Sequence, residues 1–346
     1  MALCRIWSAV VTLSVCIPTF ERPALLERAL RSVIDLNNER ADQVEIIVSD
    51  DSRDDYSTVV CERMFATWRG KARRIGNRPA LGMVENFNRC VSLATGRYIL
   101  ILHDDDYLLP NGLVAVLGST ADGDDQHSVL LFGVDVVDDA GRLRRRQSFA
   151  EERYLPPQRA LLNVLSNSSY VRFPGMVVRK DAYERVGPFD VDLGGTTDLD
   201  MWIKLFAVYG VTCVPQTVSA YTVHVEAHTT GMFNPETIER IAHVFERTGE
   251  KGILPSETIR RCSADFFAQF ILAGAYRQLR VGDQDGARRT LALANLPAVR
   301  AAGDSHRWLP VWLAMHGLVR APRPLLSRTT RWLERLSPHT SILWPR

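Results

Sequence analysis

The chain has 346 residues, of which 46% are hydrophobic and 24% charged, as is usual for a soluble protein with a sizeable core. The formal net charge is only +2, so no bulk charge favours nucleic acid as a partner. This length fits one large domain, or one domain with an extension.

The N-terminal apolar run and the cysteines both bear on the compartment. Residues 6–17 are mostly apolar and follow Arg5, as in a secretory signal peptide, but they lack a small-residue cleavage site and merge into a strand–turn–helix pattern. The six cysteines form neither a CxxC pair nor a zinc-ligand spacing, and Cys16 and Cys90 fall on apolar faces. We therefore expect a cytoplasmic, reducing environment. The sequence has no run of about twenty apolar residues, so no membrane-spanning helix is expected.

Strand-like and helix-like patterns alternate through the first half of the chain. Strands are predicted at 12–17, 44–48, 72–76, 98–102 and 129–137, and those at 12–17 and 98–102 are expected to be buried. Helices are predicted from Pro23, over 84–94 before Gly96, and from Pro110. This alternation predicts an α/β fold with a mostly parallel sheet flanked by helices.

Polar residues gather at the ends of three predicted strands, at 19–21, 50–51 and 104–106. Ligands of open α/β sheets bind outside the carboxyl ends of the strands. The three clusters are therefore predicted to form one shared site.

The last cluster consists of three consecutive aspartates, Asp104, Asp105 and Asp106, after an apolar strand. Adjacent carboxylates repel one another unless a positive charge lies among them. A hard divalent cation such as Mg²⁺ binds carboxylate oxygens and keeps positions open for phosphate. This pattern indicates nucleotide chemistry.

The second half of the chain is less regular and then becomes helical. Residues 163–174 read as a polar loop, and 200–209 as a helix with an apolar face. Beyond residue 235 the pattern is purely helical, with a helical hairpin predicted from 266–280 and 286–296.

Four segments, in their order and spacing, resemble the family 2 glycosyltransferases of the GT-A fold. They are LSVCIPTFER at 13–22, VEIIVSDDS at 44–52, GRYILILHDDD at 96–106 with Pro110, and TDLDMW at 197–202. The resemblance covers residues 10–232. It implies a Rossmann-like GT-A catalytic domain over 1–232, with a nucleotide-binding half at 10–120 and an acceptor-binding half at 121–232. An α-helical C-terminal extension over 233–346 would follow.

The resemblance also implies an activity. Similar enzymes are hexosyltransferases that move a sugar from a nucleotide-diphosphate sugar to an acceptor hydroxyl, usually with inversion. The expected setting is bacterial polysaccharide, glycolipid or surface-glycan synthesis, with a glycan or lipid-linked acceptor and no nucleic-acid partner.

Several residues match the nucleotide-binding positions of the family. Asp51 matches the residue that hydrogen-bonds the base, and a carboxylate there favours uracil or thymine, so UDP or dTDP is the preferred carrier. Taken alone, Asp51 also fits a turn or helix cap. Phe20 either stacks on the base or packs in the core. The matched set is Pro18, Thr19, Phe20, Glu21, Asp51 and Asp104, the last at the ribose.

The resemblance implies a Mg²⁺ or Mn²⁺ ion bound by Asp105 and by His224. His103 stands where the family's DxD motif usually has its first aspartate, which leaves this motif only DxD-like. His103 either hydrogen-bonds the ribose or is a packed histidine at the strand end. Asp106 either supports the cation site or caps the next helix.

Asp198 matches the general base of inverting members, whose task is to take the acceptor's proton. As a residue type it also suits the first turn of a helix, where a carboxylate favours the dipole. Arg172 lies where the family builds acceptor contacts, and it meets either an acidic acceptor group or solvent.

The C-terminal residues 307–335 combine arginines, tryptophans and aliphatic residues. This composition suits helices that lie on an anionic membrane, and equally helices that pack on the catalytic domain with a solvated arginine face. The second interpretation is favoured. The first would make the enzyme peripheral on the inner face of the cell membrane.

Two other functions are alternatives to sugar transfer. A nucleotidyltransferase would normally have a glycine-rich phosphate loop after the first strand, and the segment at 16–22 has no glycine. A non-catalytic sugar-nucleotide binder is favoured by His103 and opposed by the presence of Asp105 and Asp198.

Overall fold

The computed structural model describes residues 11–35, 37–121, 127–167, 169–223 and 231–320. Contacts divide the chain into two compact units. The first is formed from 1–156, 171–197 and 204–223, and the second from 157–170, 198–203 and 224–346. The boundary predicted between residues 232 and 233 stays a prediction.

The first unit is built on one sheet. Its strands are β1 (Leu13–Thr19), β2 (Val44–Asp50), β3 (Lys71–Gly76), β4 (Tyr98–Ile101), β5 (Tyr107–Leu108), β6 (Val129–Asp138), β7 (Leu143–Gln147), β8 (Arg153–Leu155), β9 (Met176–Arg179) and β10 (Val211–Val223). The strand order is β3-β2-β1-β4-β9-β6-β10-β5, with β7 paired to β6 and β8 to β10. Its helices are α1 (Pro23–Ile34), α2 (Tyr56–Phe65), α3 (Met83–Leu93), α4 (Gly112–Ser119) and α6 (Lys180–Val186).

The predicted α/β class is confirmed, and the sheet has a parallel and a mixed half. Strands β3, β2, β1 and β4 pair in parallel, as do β6 and β10. Strand β9 is antiparallel to both β4 and β6. An apolar run predicts that a strand is buried, but it carries little information about the direction of the neighbouring strand.

The sheet core explains why the first strands form where predicted. All seven residues of β1 are buried, as is typical of a strand covered on both faces. Helix α1 starts at Pro23 and buries Leu26, Leu30 and Val33 at helical spacing. Cys16 and Cys90 are buried, as expected.

Between residues 157 and 186 the sequence prediction was incomplete. The expected loop at 163–174 begins inside helix α5 (Pro157–Ser166). That helix buries Ala160, Leu161, Val164 and Leu165, a helical spacing that its polar last turn obscured. Strand β9 and helix α6 were not predicted, because each is short.

The second unit is helical, as predicted for the C-terminal extension. Helix α7 (Thr197–Tyr209) contributes residues 198–203 to it, and α5 belongs to it entirely. The other helices are α8 (Pro235–Glu250), α9 (Ser256–Arg280), α10 (Gln284–Ala292), α11 (Pro297–Ala302) and α12 (Leu309–Leu318). Helices α9 and α10 form the predicted hairpin, with Gly282 at a φ of 80° in its turn. Among the described helices, none combines the length and the hydropathy needed to cross a bilayer.

Candidate nucleotide and cation site

The parallel half of the sheet brings three polar strand ends to one edge. Thr19 at the end of β1 lies opposite Asp50 at the end of β2. After β4, the Leu102 amide donates to the Cys16 carbonyl at 2.9 Å, so the aspartates at 104–106 follow directly beside β1. The predicted convergence of these three clusters is therefore present in the first unit.

Asp51 is held in a fixed orientation from two sides. Asn77 Nδ2 donates to one carboxylate oxygen at 2.8 Å, and the Gly82 amide donates to the other at 2.8 Å. Gly82 has a φ of 87°, a conformation that glycine adopts readily. The Asp51 amide donates to the Thr19 carbonyl at 3.0 Å, which ties the Asp51 backbone to the loop after β1.

Asn77 and Gly82 were missed by sequence reasoning. Both lie in the polar, glycine-containing loop that follows β3, the next strand along the same sheet edge. The rule that ligands bind at carboxyl strand ends would have pointed to this loop as well.

The loop after β1 presents Phe20 to the surface. Pro18 and Thr19 are buried at the end of β1, whereas Phe20 is 39% exposed. The alternative in which Phe20 is a core aromatic is therefore wrong. Glu21 has a φ of 53°, its amide donates to Ser52 Oγ at 2.8 Å, and its carboxylate pairs with Arg53 at 3.0 Å. Phe20 thus stands beside the strand end that carries Asp51, with its ring accessible to solvent.

Asp104 is the most enclosed of the carboxylates predicted to contact the nucleotide. It is 1% exposed, and its Oδ2 accepts from Thr19 Oγ1 at 2.7 Å. Its other oxygen lies 3.4 Å from Arg22 Nη2. Burial raises the pKa of Asp104 to about 6, and the Arg22 charge opposes that rise. Thr19 and Asp104, both predicted as nucleotide contacts, are thus hydrogen-bonded to each other.

Asp105 lies between two arginines that sequence reasoning missed. Arg22 Nη1 lies 2.9 Å from Asp105 Oδ2. Arg28, on α1, donates to the Asp105 backbone carbonyl and, at 3.1 Å, to Thr222 Oγ1. The Asp105 side chain remains 19% exposed. Both arginines follow the Thr19–Glu21 cluster closely in sequence, which was the available signal.

Three candidate cation ligands converge beside this pair. His103, Asp105 and Asp106 each offer one ligand atom, and these atoms lie within 4.8 Å of one another. Within the described parts of the chain, His103 Nε2 and Asp106 Oδ2 are buried and have no hydrogen-bond partner. Buried polar atoms normally have partners, so these two atoms fit a site for a bound cation.

The chemistry of these ligands also suits a cation. Burial lowers the pKa of His103, which keeps its imidazole neutral and able to act as a ligand. Burial and the Asp105 charge raise the pKa of Asp106, whose Oδ1 accepts from the Thr222 amide at 2.8 Å. His103 stacks on Phe87 at 5.2 Å and packs against Phe173 at 4.6 Å. These rings pack against the imidazole at the end of β4, and the alternative of a hydrogen bond from His103 to the ribose stays a prediction.

The structure describes two of the three remaining predicted residues. Asp198 is in the first turn of α7, in the second unit, and its Oδ1 accepts from the Leu199 amide at 2.7 Å. Its role as a base stays a prediction. The Arg172 guanidinium stacks over the Tyr221 ring at 4.7 Å. His224 lies outside the described residues.

The family model described as Glycosyl transferase family 2 matches residues 14–187, which is half of the chain. The chain belongs to glycosyltransferase family 2. The predicted enzyme class is therefore confirmed at the level of the family.

Curated relatives match over part of their length. A Mycobacterium tuberculosis protein, MT1568, is 29% identical over 215 residues, covering 60% of this chain and 66% of the relative. The Campylobacter jejuni GalNAc(5)-diNAcBac-PP-undecaprenol beta-1,3-glucosyltransferase is 31% identical over 136 residues, 39% of this chain and 42% of that enzyme. The Salmonella typhimurium abequosyltransferase RfbV is 36% identical over 119 residues, 32% of this chain and 34% of that enzyme. The chain thus spans less than two thirds of the length of each.

Solved structures agree on the fold. Staphylococcus aureus TarS 1–349 in complex with UDP-GlcNAc has a TM-score of 0.58 at 17% identity, covering 96% of this chain and 90% of that one. The mannosyltransferase PcManGT from Pyrobaculum calidifontis, in complex with GDP-Man and Mn²⁺, has a TM-score of 0.53 at 17% identity, covering 96% and 87%. At such identities the likeness concerns the fold, and it confirms the predicted GT-A class.

Proposed function

We propose that this family 2 protein transfers a sugar from a nucleoside-diphosphate sugar to an acceptor hydroxyl, with inversion. The preferred carriers are UDP and dTDP. The setting is the synthesis of a bacterial polysaccharide, glycolipid or surface glycan on the cytoplasmic side of the membrane, with a glycan or lipid-linked acceptor.

The observation that carries this proposal is the convergence at one sheet edge. Asp51 and the exposed ring of Phe20 lie beside β1 on one side, and Asp104 is bonded to Thr19 on the other. A base beside Phe20 and Asp51 would place its ribose toward Asp104 and its diphosphate toward Asp105. This sequence of contacts follows the chemical order of a nucleoside diphosphate.

The preference for uracil or thymine rests on Asp51. Each of its carboxylate oxygens accepts one hydrogen bond within the protein and has further acceptor capacity. An ionised carboxylate has no donor, so it matches the imide N–H of uracil or thymine.

Asp51→Asn is expected to weaken UDP binding about tenfold, because a charge-assisted hydrogen bond to the base is lost. Isothermal titration of the full-length chain with UDP and Mg²⁺ measures this. Asp54→Asn, an exposed aspartate in the same loop, should bind UDP as the wild type does. Equal affinity in Asp51→Asn and wild type would remove Asp51 from base recognition.

The cation would be held by His103, Asp105 and Asp106, with His224 as a further predicted ligand. One imidazole with carboxylates suits Mn²⁺, and Mg²⁺ is the hard-cation alternative. When bound, such an ion offsets the negative charge that builds on the departing diphosphate.

The chain's own residues account for the rest of the mechanism. The Thr19 hydroxyl holds the Asp104 carboxylate in place at the ribose position. Asp198 accepts the proton of the acceptor hydroxyl as its oxygen attacks the anomeric carbon. A single displacement on the face opposite the diphosphate inverts the anomeric centre, and no covalent sugar–enzyme intermediate forms.

The non-catalytic alternative remains testable in the same terms. A protein that only binds a sugar nucleotide releases no nucleotide from it. An assay of UDP release from UDP-sugars, with and without Mn²⁺, therefore separates an enzyme from a binder. The nucleotidyltransferase alternative is disfavoured by the family match.

A membrane-bound acceptor is supported by the surface of α12. Leu309 and Leu313 are 52% and 67% exposed and lie one helical turn apart. Arg307 and Arg320 flank them as exposed cations, whereas Trp308 is buried. Apolar residues with flanking arginines suit the surface of an anionic membrane. The remaining residues of the predicted membrane segment, 321–335, lie outside the described residues.

The full-length chain is expected to float with phosphatidylglycerol vesicles and not with phosphatidylcholine vesicles. Replacing Leu309 and Leu313 together with glutamate should reduce the bound fraction at least about tenfold, because two apolar contacts with the membrane are lost. Val281→Glu, at another exposed apolar site, is the matched control. Undiminished flotation of the double variant would contradict a membrane contact through α12.

A further inference from the structure

Arg22 makes ion pairs with two of the three consecutive aspartates at once. Its Nη1 lies 2.9 Å from Asp105 Oδ2, and its Nη2 lies 3.4 Å from Asp104 Oδ1. Asp104 is nearly inaccessible, whereas the Arg22 side chain is 38% exposed. The guanidinium therefore covers the two carboxylates from the solvent side.

The positive charge of Arg22 therefore lies against Asp105, which is also a candidate ligand of the cation. Asp105 is a member of the group with His103 and Asp106 whose ligand atoms lie within 4.8 Å. Arg22 Nη1 lies 2.9 Å from an Asp105 carboxylate oxygen. A divalent cation bound to the same carboxylate would therefore be close to the guanidinium, and two positive charges repel each other at short range. The two cations also offset the same repulsion between neighbouring carboxylates.

The contacts of Arg22 and Arg28 differ, and this difference would allow a cation to replace Arg22 while Arg28 stays bound. Arg28 is bound to the backbone carbonyl of Asp105 and to Thr222, so it fixes the main chain after β4. The ion pairs of the Arg22 guanidinium described above are with side chains, those of Asp104 and Asp105, and Arg22 follows a loop at the surface. Loss of the Arg22 pair would leave the backbone of the aspartates anchored.

We propose that Arg22 and the divalent cation compete for the Asp104–Asp105 carboxylates. The guanidinium stabilises these carboxylates when no cation is bound, and cation binding displaces it toward solvent. Arg22 is thus a positioning residue that sets the affinity of the site for its cation. This inference rests on the cation site of the proposed function.

The test is a titration of the full-length chain with Mn²⁺ in the absence of nucleotide. Electron paramagnetic resonance measures the concentration of free Mn²⁺. Arg22→Gln is expected to bind Mn²⁺ at least about threefold more tightly than wild type, because a partly exposed ion pair no longer has to be broken. Arg31→Gln, which removes an arginine from an exposed pair with Glu27 on α1, should leave the affinity unchanged. Unchanged or weaker binding by Arg22→Gln overturns the proposal.

A second measurement uses the wild type and does not depend on the variant folding. Mn²⁺ is expected to increase the modification of Arg22 by phenylglyoxal at least about twofold, since displacement exposes the guanidinium, as read by peptide mass spectrometry. Equal modification with and without Mn²⁺ overturns the proposal. If either of these two measurements overturns the proposal while UDP binding and UDP release from UDP-sugars are normal, the proposed function stands. Only the competition between Arg22 and the cation is then excluded.

Discussion

Asp105→Asn is expected to lower the rate of sugar transfer by about a thousandfold or more. The substitution keeps the size of the side chain and removes the charge of the most accessible carboxylate in the cation group. A metal ion contributes several kcal/mol of charge stabilisation to a departing phosphate, and each 1.36 kcal/mol corresponds to about a tenfold change in rate. Initial rates of UDP release from the accepted donor, at several Mn²⁺ concentrations, measure the effect.

The control for Asp105 is an aspartate that carries no predicted role. Asp42→Asn lies in an exposed turn before β2 and should retain the wild-type rate. Higher Mn²⁺ should restore part of the activity of Asp105→Asn if His103 and Asp106 still bind the ion weakly. A wild-type rate for Asp105→Asn without added metal would show that the reaction does not use this carboxylate.

Asp198→Asn is expected to keep donor binding and to lose transfer by a factor of at least about 100, the usual contribution of a general base. The asparagine side-chain oxygen can accept a hydrogen bond from the Leu199 amide as the carboxylate does, so the first turn of α7 should persist. The informative result is a fall in kcat with an unchanged dissociation constant for UDP, because the base acts on the acceptor and not on the donor.

Asp192→Asn provides the comparison, because Asp192 is an exposed aspartate in the turn that precedes α7. It should not change kcat. Full transfer activity in Asp198→Asn would exclude Asp198 as the base, and a parallel loss of UDP binding would indicate a structural role instead.

The sequence predicted the positions of the site residues on the chain better than their partners. The strand ends carrying Thr19, Asp51 and Asp104 could be predicted because buried strands have a strong apolar signal and parallel strands end at one edge. Their convergence needed no knowledge of side-chain conformation. The family motifs then assigned roles that the residue types alone left open.

The partners of these residues could not be predicted in the same way. Arg22 reaches Asp104 and Asp105 across a loop in which Glu21 has a φ of 53°, a conformation that side-chain patterns do not reveal. Asp106 accepts from the Thr222 amide, 116 residues further along the chain. Such contacts depend on how the mixed half of the sheet pairs, and apolar runs do not specify that pairing.

For His103, the sequence showed the replaced motif residue but not the packing of its ring. Its replacement of a family aspartate was visible in the sequence and left two interpretations open. Its contacts with the rings of Phe87 and Phe173 were not visible, because those rings come from α3 and from the turn at 173–175. The packing of His103 and its position among the cation ligands are compatible, since the unpartnered Nε2 belongs to the same ring.

The most direct test of the central claim is a crystal structure with UDP and Mn²⁺, in which anomalous diffraction locates the ion. We predict an Mn²⁺ peak bonded to Asp105, with uracil against Phe20 and its imide N–H directed at Asp51. An Mn²⁺ peak away from the aspartates at 104–106, or a nucleotide bound at another edge of the sheet, would contradict the account.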